Sequence, residues 1–503
     1  MQRNLTIYYT SDTHGYFTPT DYATGKTIPS GLANCMRRFS HDGNTLIIDG
    51  GDTLQGSPLT SYIYSAPRGE CIPARIMNMG GYNFVTLGNH DFNYGRGEIE
   101  RYLNELDAVC LCANVEGVRG VERTALVTLE NGLRVGLTGA VTHYVNQWEA
   151  PENLEGIRIS DAFTAVRGAL DELKAAGADV TVCIYHGGFE RDVRTGEAVS
   201  ATGENQGWRI CSELDFDVVL AAHQHMAAED LCIGGTFTCQ PPDRARQYIH
   251  MDVTECAGKV TARSALLPAG DEPLAAAVEY LAPYERAAAQ WLDTPVGHID
   301  VPLYPAGHLE MALNGSYIAN FINQVQLEAS GADVSAASLD NSVKGFAQDV
   351  TVRDIVSTYV FPNTLKTVSI DRAGLKRALE RSAEYFTLGQ DGKPAISETF
   401  LRPVEQHFNY DYVAGVHATF DLRRPVGDRV TSIIYKGEEL AEDARLTVCI
   451  NSYRAGGSGG YGVYAECPTV REGQDEIAQL ITDYVRRHEN IVVDKTKWLK
   501  VIY

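Results

Sequence analysis

Five histidines and several carboxylate or amide side chains follow short apolar runs in the first half of the chain. Imidazoles mixed with carboxylates bind Mn, Fe, Zn and similar ions, whereas Ca²⁺ and Mg²⁺ prefer sites made of oxygen ligands. The residue types therefore predict a transition-metal site. The candidate residues are Asp12, His14, Asp52, Asn89, His90, His186, His223 and His225.

The stretch that follows Val85–Leu87 contains three potentially functional side chains in a row. It reads Gly88-Asn89-His90-Asp91, so an amide oxygen, an imidazole and a carboxylate occupy consecutive positions. Such a run suits a core poorly, but it places a metal ligand beside a catalytic group well. The alternative is a turn with a helix cap, because Asn and Asp favour both.

Five predicted strands position these groups. Residues 1–268 alternate short β-branched runs with helical patterns, which is typical of layered α/β folds. Sites in such folds form at the carboxyl ends of strands, so side chains that follow different strands converge. A surface loop explains any one group, but it does not explain five groups in the same position. The strands are predicted at Leu5–Thr10, Thr45–Asp49, Val85–Leu87, Asp179–Tyr185 and Asp217–Ala222.

A ligand set of this size indicates two metal ions rather than one. Seven ligands around a shared carboxylate suit two ions a few ångströms apart, and such a pair clamps the attacking and leaving oxygens of an in-line phosphoryl displacement. We therefore predict metal-assisted hydrolysis with two divalent transition-metal ions (Mn, Zn or Fe) as cofactors.

The chain is too long for one ordinary core, and its pattern changes after residue 268. Residues 269–296 are Ala-rich and predict a connecting helix, which Pro283 should kink or split. Residues 297–503 predict a second α/β unit with helices over Gly315–Ser330, Arg372–Phe386 and Gln474–His488 and a β-rich stretch over Val413–Val448.

Charge and composition exclude several classes of function. The net charge is −22, from 65 acidic and 43 basic side chains, so the surface repels long DNA or RNA. No run approaches the ~18 apolar residues of a membrane span, and the start leaves no room for an apolar signal segment. The eleven cysteines are odd in number and contain no Cys-x-x-Cys motif. We expect a cytoplasmic protein with reduced cysteines.

The five groups, in this order and spacing, resemble the calcineurin-like metallophosphoesterases, which implies a four-layer fold with two central sheets. The resemblance implies that His90 acts on the phosphate or the leaving oxygen. It implies one metal held by Asp12, His14, Asp52 and His225, and a second held by Asp52, Asn89, His186 and His223.

Three stretches of the second unit, Asn320–Gln326, Phe361–Leu365 and Asn451–Tyr461, resemble the 5′-nucleotidase C-terminal domain. The resemblance implies that this unit binds a nucleoside, with the base stacked between Tyr410 and Tyr461. Packing of the two tyrosines within their own domain is the alternative, and Phe408 or Tyr412 are possible substitutes as the stacking rings.

Two departures from simple 5′-nucleotidases narrow the substrate. Asn93 stands where an aspartate usually pairs with the catalytic histidine, and Leu339–Gly345 lacks the usual substrate-binding arginine. Both features resemble the bacterial 2′,3′-cyclic-nucleotide 2′-phosphodiesterase/3′-nucleotidase branch. We therefore expect hydrolysis of small nucleotide phosphoesters to nucleoside and phosphate, with 2′,3′-cyclic nucleotides and 3′-nucleotides preferred. A 5′-nucleotidase or nucleotide-sugar hydrolase remains the close alternative, and a nucleotide-binding protein without activity is the alternative from another class.

Overall fold

Parallel strands that end on the same side organise the first half of the chain. Gln2–Thr10 pairs in parallel with Thr45–Asp49, which pairs in parallel with Phe84–Val85. In a second sheet, Val180–His186 lies in parallel between two other strands. Every residue of Thr45–Asp49 and of Val180–His186 is buried, as expected for strands covered on both faces.

The main core of this half lies between the two sheets. Alternate residues of Gln2–Thr10, among them Leu5 and Ile7, are buried in one cluster with Val135 and Val182 of the second sheet. Helices cover the other face of the second sheet, where Phe163 is packed into a separate cluster. The predicted pair of facing central sheets is present.

The computed structural model describes residues 2–22, 24–65, 69–198, 203–361, 363–402 and 405–503. The chain divides into two compact units, residues 1–289 and 290–503. In the first unit, the seven-stranded sheet has the spatial order Lys259–Pro268, Gln247–Cys256, Gln2–Thr10, Thr45–Asp49, Phe84–Val85, Val109–Leu111, Val121–Glu122. The six-stranded sheet has the order Ala228–Ile233, Thr236–Gln240, Val218–Ala221, Val180–His186, Arg134–Val141, Thr124–Thr128.

Two short strand pairs and the helices complete the first unit. The pairs are Thr20–Asp21 with Lys26–Thr27 and Val115–Glu116 with Arg158–Ile159. The helices are Leu32–Met36, Pro58–Ser65, Ile72–Met79, the 3₁₀ turn Asn89–Phe92, Gly95–Glu105, Val145–Trp148, Ala162–Ala175, Gly207–Glu213 and Ala275–Leu292.

The second unit is a separate α/β body. Its five-stranded sheet has the order Asp411–Ala414, Val334–Ser338, Arg445–Asn451, Thr364–Asp371, Thr469–Glu476. Its four-stranded sheet has the order Glu438–Glu439, Val430–Tyr435, Val416–Asp421, Leu499–Ile502, and the short pairs are Pro295–His298 with Asp349–Thr351 and Phe386–Leu388 with Pro394–Ile396. The helices are His308–Asn314, Tyr317–Ser330, Val352–Thr358, Arg372–Ala383, Glu398–Phe400, His407–Asn409, Ser452–Ala455, Ser458–Gly460, Gly462–Ala465 and Ile477–Arg487.

The connecting helix is shorter than the predicted range 269–296, and Pro283 does not split it. Ala275–Leu292 is a single helix with Pro283 inside it. The missing proline N–H costs one hydrogen bond, but Ala277, Leu281 and Ala288 are fully buried on one side. The carboxylate of Glu285 also accepts a hydrogen bond from Tyr22 at 2.9 Å. Packing therefore outweighs the local penalty.

All eleven cysteines are free thiols, and eight of them are buried. Burial raises the pKa of the Cys112 thiol to about 12, so this group is inert as a nucleophile at neutral pH. Among the described helices, none combines the length and the apolarity needed to cross a membrane.

Candidate metal centre

Backbone strain is concentrated at the predicted ligands. In the described part of the chain, ten residues other than glycine have a positive φ, and five of them belong to the predicted ligand set. Left-handed φ values are unfavourable for residues with a Cβ atom, and such strain clusters at functional sites. The five are Asp12 (52°), His14 (49°), Asp52 (58°), His223 (75°) and His225 (55°).

Two glycines allow the strand-end loops to approach each other. A Cβ atom on Gly88 would lie 2.2 Å from Oδ1 of Asp52, and a Cβ atom on Gly51 would lie 2.3 Å from the backbone nitrogen of Gly88. The buried carboxylate of Asp91 ties the same loops together, since it accepts hydrogen bonds from the backbone N–H groups of Asp52 and Leu54, each at 2.9 Å. Asp91 therefore holds the loop and is not itself presented to a ligand.

Asp52 lies between histidines from two different strands. Its Oδ2 atom is 3.3 Å from Nε2 of His186 and 3.9 Å from Nε2 of His14. Nε2 of His186 is also 3.2 Å from Oδ1 of Asn89. The carboxylate of Asp52 thus lies near one histidine of each predicted ligand set, in a position that a bridging ligand would occupy.

Asp12 connects the remaining ligands. Its Oδ1 atom is 3.5 Å from Nε2 of His225 and 3.9 Å from Nε2 of His186. Nε2 of His14 lies 3.1 Å from Nε2 of His225. Two subsets are compact enough to hold one ion each, namely Asp12 with His14 and His225, and Asp12 with Asp52 and His186.

Backbone carbonyls orient two of the imidazoles. Nδ1 of His186 donates to the carbonyl of Gly50 at 2.6 Å, and Nδ1 of His14 donates to the carbonyl of Gln55 at 3.1 Å. With Nδ1 occupied in this way, Nε2 is the nitrogen of each ring that is directed at the cluster and that would bind a metal. This arrangement is typical of metal-binding histidines.

Burial and charge within the cluster shift the pKa values of its residues in different directions. Burial opposes ionisation of Asp12, but the hydrogen bond to His225 and the charge of His186 outweigh it and lower the pKa of Asp12 to about 2. Burial lowers the pKa of His14 to about 4. For His186, burial also acts downward, but the charge of Asp52 outweighs it and raises the pKa to about 10. At neutral pH, Asp12 is therefore anionic and His14 is a neutral donor.

The donor set fits divalent transition-metal ions. Asp12, Asp52 and His186 are 1% exposed or less, and two imidazole nitrogens face each other at 3.1 Å. Two lone pairs at that separation repel unless a proton or a cation lies between them. Buried carboxylates likewise need a positive partner. Nitrogen and oxygen donors in this mixture match Mn, Fe or Zn.

His90 lies at the edge of the cluster. Its ring centroid is 5.5 Å from that of His14, and its backbone N–H donates to Oδ1 of Asp52 at 2.7 Å. Its Nδ1 lies 2.9 Å from Oδ1 of Asn93, as expected for an orienting contact. Within the 3₁₀ turn Asn89–Phe92, the side chain of Asn89 therefore contacts the cluster, whereas that of the neighbouring His90 lies at its edge.

His223 differs from the other predicted ligands in the direction of its ring. Its Nε2 donates to Oε1 of Glu204 at 3.0 Å, and its ring centroid is 5.5 Å from that of His186. A carboxylate that accepts from one ring nitrogen leaves the other nitrogen as the donor atom for a metal. The indole of Trp148 stacks on the same ring with centroids 5.5 Å apart.

Three further side chains contact the cluster or its neighbours and belong to none of the motifs: Glu204, Trp148 and Glu149. Trp148 and Glu149 follow the strand Arg134–Val141, which ends on the same side as the others. The apolar run that forms this strand is the feature of the sequence that indicates the position of Trp148 and Glu149. Glu204 lies in a loop, and no sequence pattern links it to His223.

The structure corrects the stacking role predicted for Tyr410 and Tyr461. Both rings are buried in the core of the second unit, with 2% and 1% exposure. The hydroxyl of Tyr461 pairs with that of Ser382 at 2.9 Å, and its ring lies under the guanidinium of Arg454. Since neither ring has a face open to a base, both tyrosines stabilise the domain. Phe408, the possible substitute, is only half-buried.

Sequence comparison matches the two units to two known families. Residues 5–227 match the family described as calcineurin-like phosphoesterase, and residues 295–466 match the 5′-nucleotidase C-terminal domain. The first match contains all seven predicted metal ligands and His90.

Individual relatives extend over the whole chain. A Haemophilus influenzae protein named 2′,3′-cyclic-nucleotide 2′-phosphodiesterase/3′-nucleotidase is 24% identical over 96% of this chain and 84% of its own length. A Bacillus subtilis protein named trifunctional nucleotide phosphoesterase protein YfkN is 22% identical over 97% of this chain, and the match covers 38% of that longer protein. The crystal structure of a candidate 5′-nucleotidase from Staphylococcus aureus is 32% identical, covers 100% of both chains and superposes with a TM-score of 0.80.

Proposed function

The chain belongs to the calcineurin-like phosphoesterases that carry a 5′-nucleotidase C-terminal domain, a family of metal-dependent hydrolases, and from this premise we propose that it hydrolyses small nucleotide phosphoesters, with 2′,3′-cyclic nucleotides and 3′-nucleotides preferred. The observation that carries the proposal is the convergence of strained strand ends on Asp52. Five left-handed positions among the predicted ligands support a functional site over an ordinary set of surface loops.

Two ions would be held by the two overlapping ligand sets. Asp12, His14, Asp52 and His225 would hold one, and Asp52, Asn89, His186 and His223 would hold the other. When bound, the ions supply Lewis-acid activation of the phosphoester and of water. The proposal for Asp52 as the shared ligand is supported by the distances from its Oδ2 to His186 and His14.

His90 is the proposed catalytic residue. Its Nδ1 proton is directed at Asn93, so Nε2 is the atom available to face the substrate. From there it can donate to a phosphate oxygen in the transition state or protonate the leaving oxygen. The backbone bond from His90 to Asp52 fixes the ring relative to the cluster.

Two features favour a cyclic phosphodiester. Asn93 is a neutral partner of His90, and the stretch Leu339–Gly345 lacks an arginine. A singly charged cyclic diester needs less charge neutralisation than a terminal phosphate does. The H. influenzae relative is named for the same substrates.

A 5′-nucleotidase or nucleotide-sugar hydrolase is the second candidate. The specific observation in its favour is the 32% identity to a candidate 5′-nucleotidase over the full length of both chains. The metal cluster and His90 would serve either substrate, so the difference must lie in how the nucleoside is held.

For the nucleoside, we propose Phe408 as the stacking ring of the second unit. Phe408 is half-buried, and its centroid lies 6.2 Å from that of Phe361, which is also half-buried. Stacking of a base on an aromatic ring contributes about 1–3 kcal/mol with little sequence preference. Tyr412 is the other candidate, but it packs edge-on against Tyr410 at 4.8 Å.

The test is a substrate panel with the Mn²⁺-loaded full chain. Turnover of 2′,3′-cyclic AMP and 3′-AMP should exceed that of 5′-AMP and UDP-glucose, measured as product formation by chromatography. The reverse order would favour the second candidate. His90→Asn should lower turnover at least about 100-fold, whereas His250→Asn, which alters a histidine packed on Tyr8, should not. No turnover of any of the four substrates would reject the proposed function.

A further inference from the structure

Three side chains form a line that leads away from His90. Nδ1 of His90 lies 2.9 Å from Oδ1 of Asn93, and Nδ2 of Asn93 donates to Oε2 of Glu149 at 2.7 Å. Glu149 is 56 residues from Asn93 in sequence, so the contact is made by the fold and not by a local turn.

The carboxylate decides which way the Asn93 amide faces. An ionised carboxylate only accepts hydrogen bonds, so Asn93 must present its NH₂ group to Glu149. The amide oxygen then faces His90 and accepts from Nδ1–H. The proton is thereby placed on Nδ1, and Nε2 becomes the reactive atom of the neutral ring.

Glu149 is itself held in place. It is half-buried, and its second oxygen accepts from the backbone N–H of Ala150 and from Nδ2 of Asn153, both at 2.8 Å. Nδ2 of Asn153 also donates to the backbone carbonyl of Asn93 at 2.9 Å. The carboxylate therefore cannot turn away from Asn93 without breaking several bonds.

We propose that Glu149 is a positioning residue for the reaction: through Asn93 it fixes the ring of His90 and supplies a negative charge one side chain removed from the imidazole. This inference rests on the proposed function, because it assumes that His90 acts on the substrate. Asn93 transmits the effect since its amide is polarised by the carboxylate on one side and bonded to the imidazole on the other.

A charge exchange between the two positions tests the proposal. Glu149→Gln keeps the shape but removes the charge that fixes the Asn93 amide, so kcat should fall about 10-fold with KM within about two-fold. Asn93→Asp combined with Glu149→Gln restores one carboxylate among these three side chains and places it in direct contact with His90. The double variant should recover to within about three-fold of the wild-type kcat. Asn93→Asp alone sets two carboxylates against each other and should be less active than the double variant.

Glu152→Gln is the matched control, because Glu152 is an exposed glutamate three residues farther along the same loop. It should leave kcat unchanged. Each variant is assayed as the Mn²⁺-loaded full chain, with metal content and thermal midpoint measured in parallel.

The outcomes separate the inference from the function on which it rests. Loss of kcat in Glu149→Gln with normal metal content, together with rescue in the double variant, supports the proposal. Wild-type kcat in Glu149→Gln, absence of rescue, or a loss of activity that only follows lost metal or lost folding would overturn it. An inactive wild-type chain, or a His90→Asn variant with full activity, would instead reject the proposed function.

Discussion

The metal cluster of the first unit and the tyrosine cluster of the second unit both contain fully buried charged groups, but their polar atoms are arranged differently. In the first, several imidazoles share the same carboxylates, since Oδ1 of Asp12 lies 3.5 Å from Nε2 of His225 and 3.9 Å from Nε2 of His186. Two of the imidazole nitrogens, from His14 and His225, lie only 3.1 Å apart at left-handed backbone positions. In the second, each polar atom has a complementary partner, as in the 2.9 Å pair of Arg454 with Asp411. Several nitrogen and oxygen donors gathered around shared carboxylates mark a site for a metal ion, whereas polar groups paired one to one mark structure.

Removing the shared carboxylate gives the largest expected effect. Asp52→Asn keeps the shape of the side chain but removes the charge that both ligand sets use, so phosphate release should fall by about 1,000-fold or more. Metal content by elemental analysis should fall as well. Asp230→Asn is the matched control, since Asp230 also has a positive φ but is half exposed and outside the cluster. An Asp52→Asn variant that retains both metals and full activity would break the comparison.

A substitution in the tyrosine cluster of the second unit should lower the stability of the protein rather than its activity. Arg454 and Asp411 are each 1% exposed, and Arg454→Met would leave the buried carboxylate without its partner. We expect a loss of about 3–5 kcal/mol in the free energy of unfolding of the second unit, measured by urea denaturation. Arg377→Met removes an exposed pair with Glu466 and should change stability little. Equal losses in the two variants would contradict the structural role of Arg454.

The convergence of Asp52 and His186 was predictable because residue type and position along the strands carry the information. His186 ends a fully buried strand, and Asp52 follows another, so convergence follows from parallel pairing alone. The fate of Tyr410 and Tyr461 was not predictable, because a tyrosine in a motif can stack on a ligand or on its own core. Only the tertiary packing around Tyr461, including Ser382 and Arg454, decides between them. The Asn93–Glu149 contact likewise depends on two loops meeting.

Metal removal distinguishes a ligand site from a structural cluster. An ion present at 100 times its dissociation constant stabilises the folded state by about 2.7 kcal/mol, so chelation should lower the thermal midpoint of the first unit. The same treatment should leave the Arg454→Met loss in the second unit unchanged. A midpoint that is identical with and without chelator would contradict the metal site.

This stabilisation should also depend on pH, with a sign set by His186. The pKa of His186 is raised to about 10, so metal binding must displace its proton and weakens as pH falls. The raised pKa by itself stabilises the metal-free fold below the unfolded value of 6.5, and this contribution is lost as pH rises toward 10. Proton binding to His186 therefore reduces, at low pH, the difference in stability between the metal-loaded and the metal-free protein. The difference in thermal midpoint with and without Mn²⁺ should be larger at pH 8 than at pH 6, and the opposite trend would contradict this assignment.

The smallest effect is expected at the aromatic rings of the second unit, where it separates binding from packing. Phe408 is half-buried, so Phe408→Ala should raise KM about 5- to 150-fold, equivalent to about 1–3 kcal/mol of stacking, with little change in kcat or stability. Tyr410 is 2% exposed, so Tyr410→Leu should lower stability and leave KM unchanged. Steady-state kinetics with the preferred nucleotide and thermal unfolding measure both quantities for each variant. If Tyr410→Leu raises KM and Phe408→Ala does not, a base stacks on a ring that this structure buries, and the contrast between the two clusters fails.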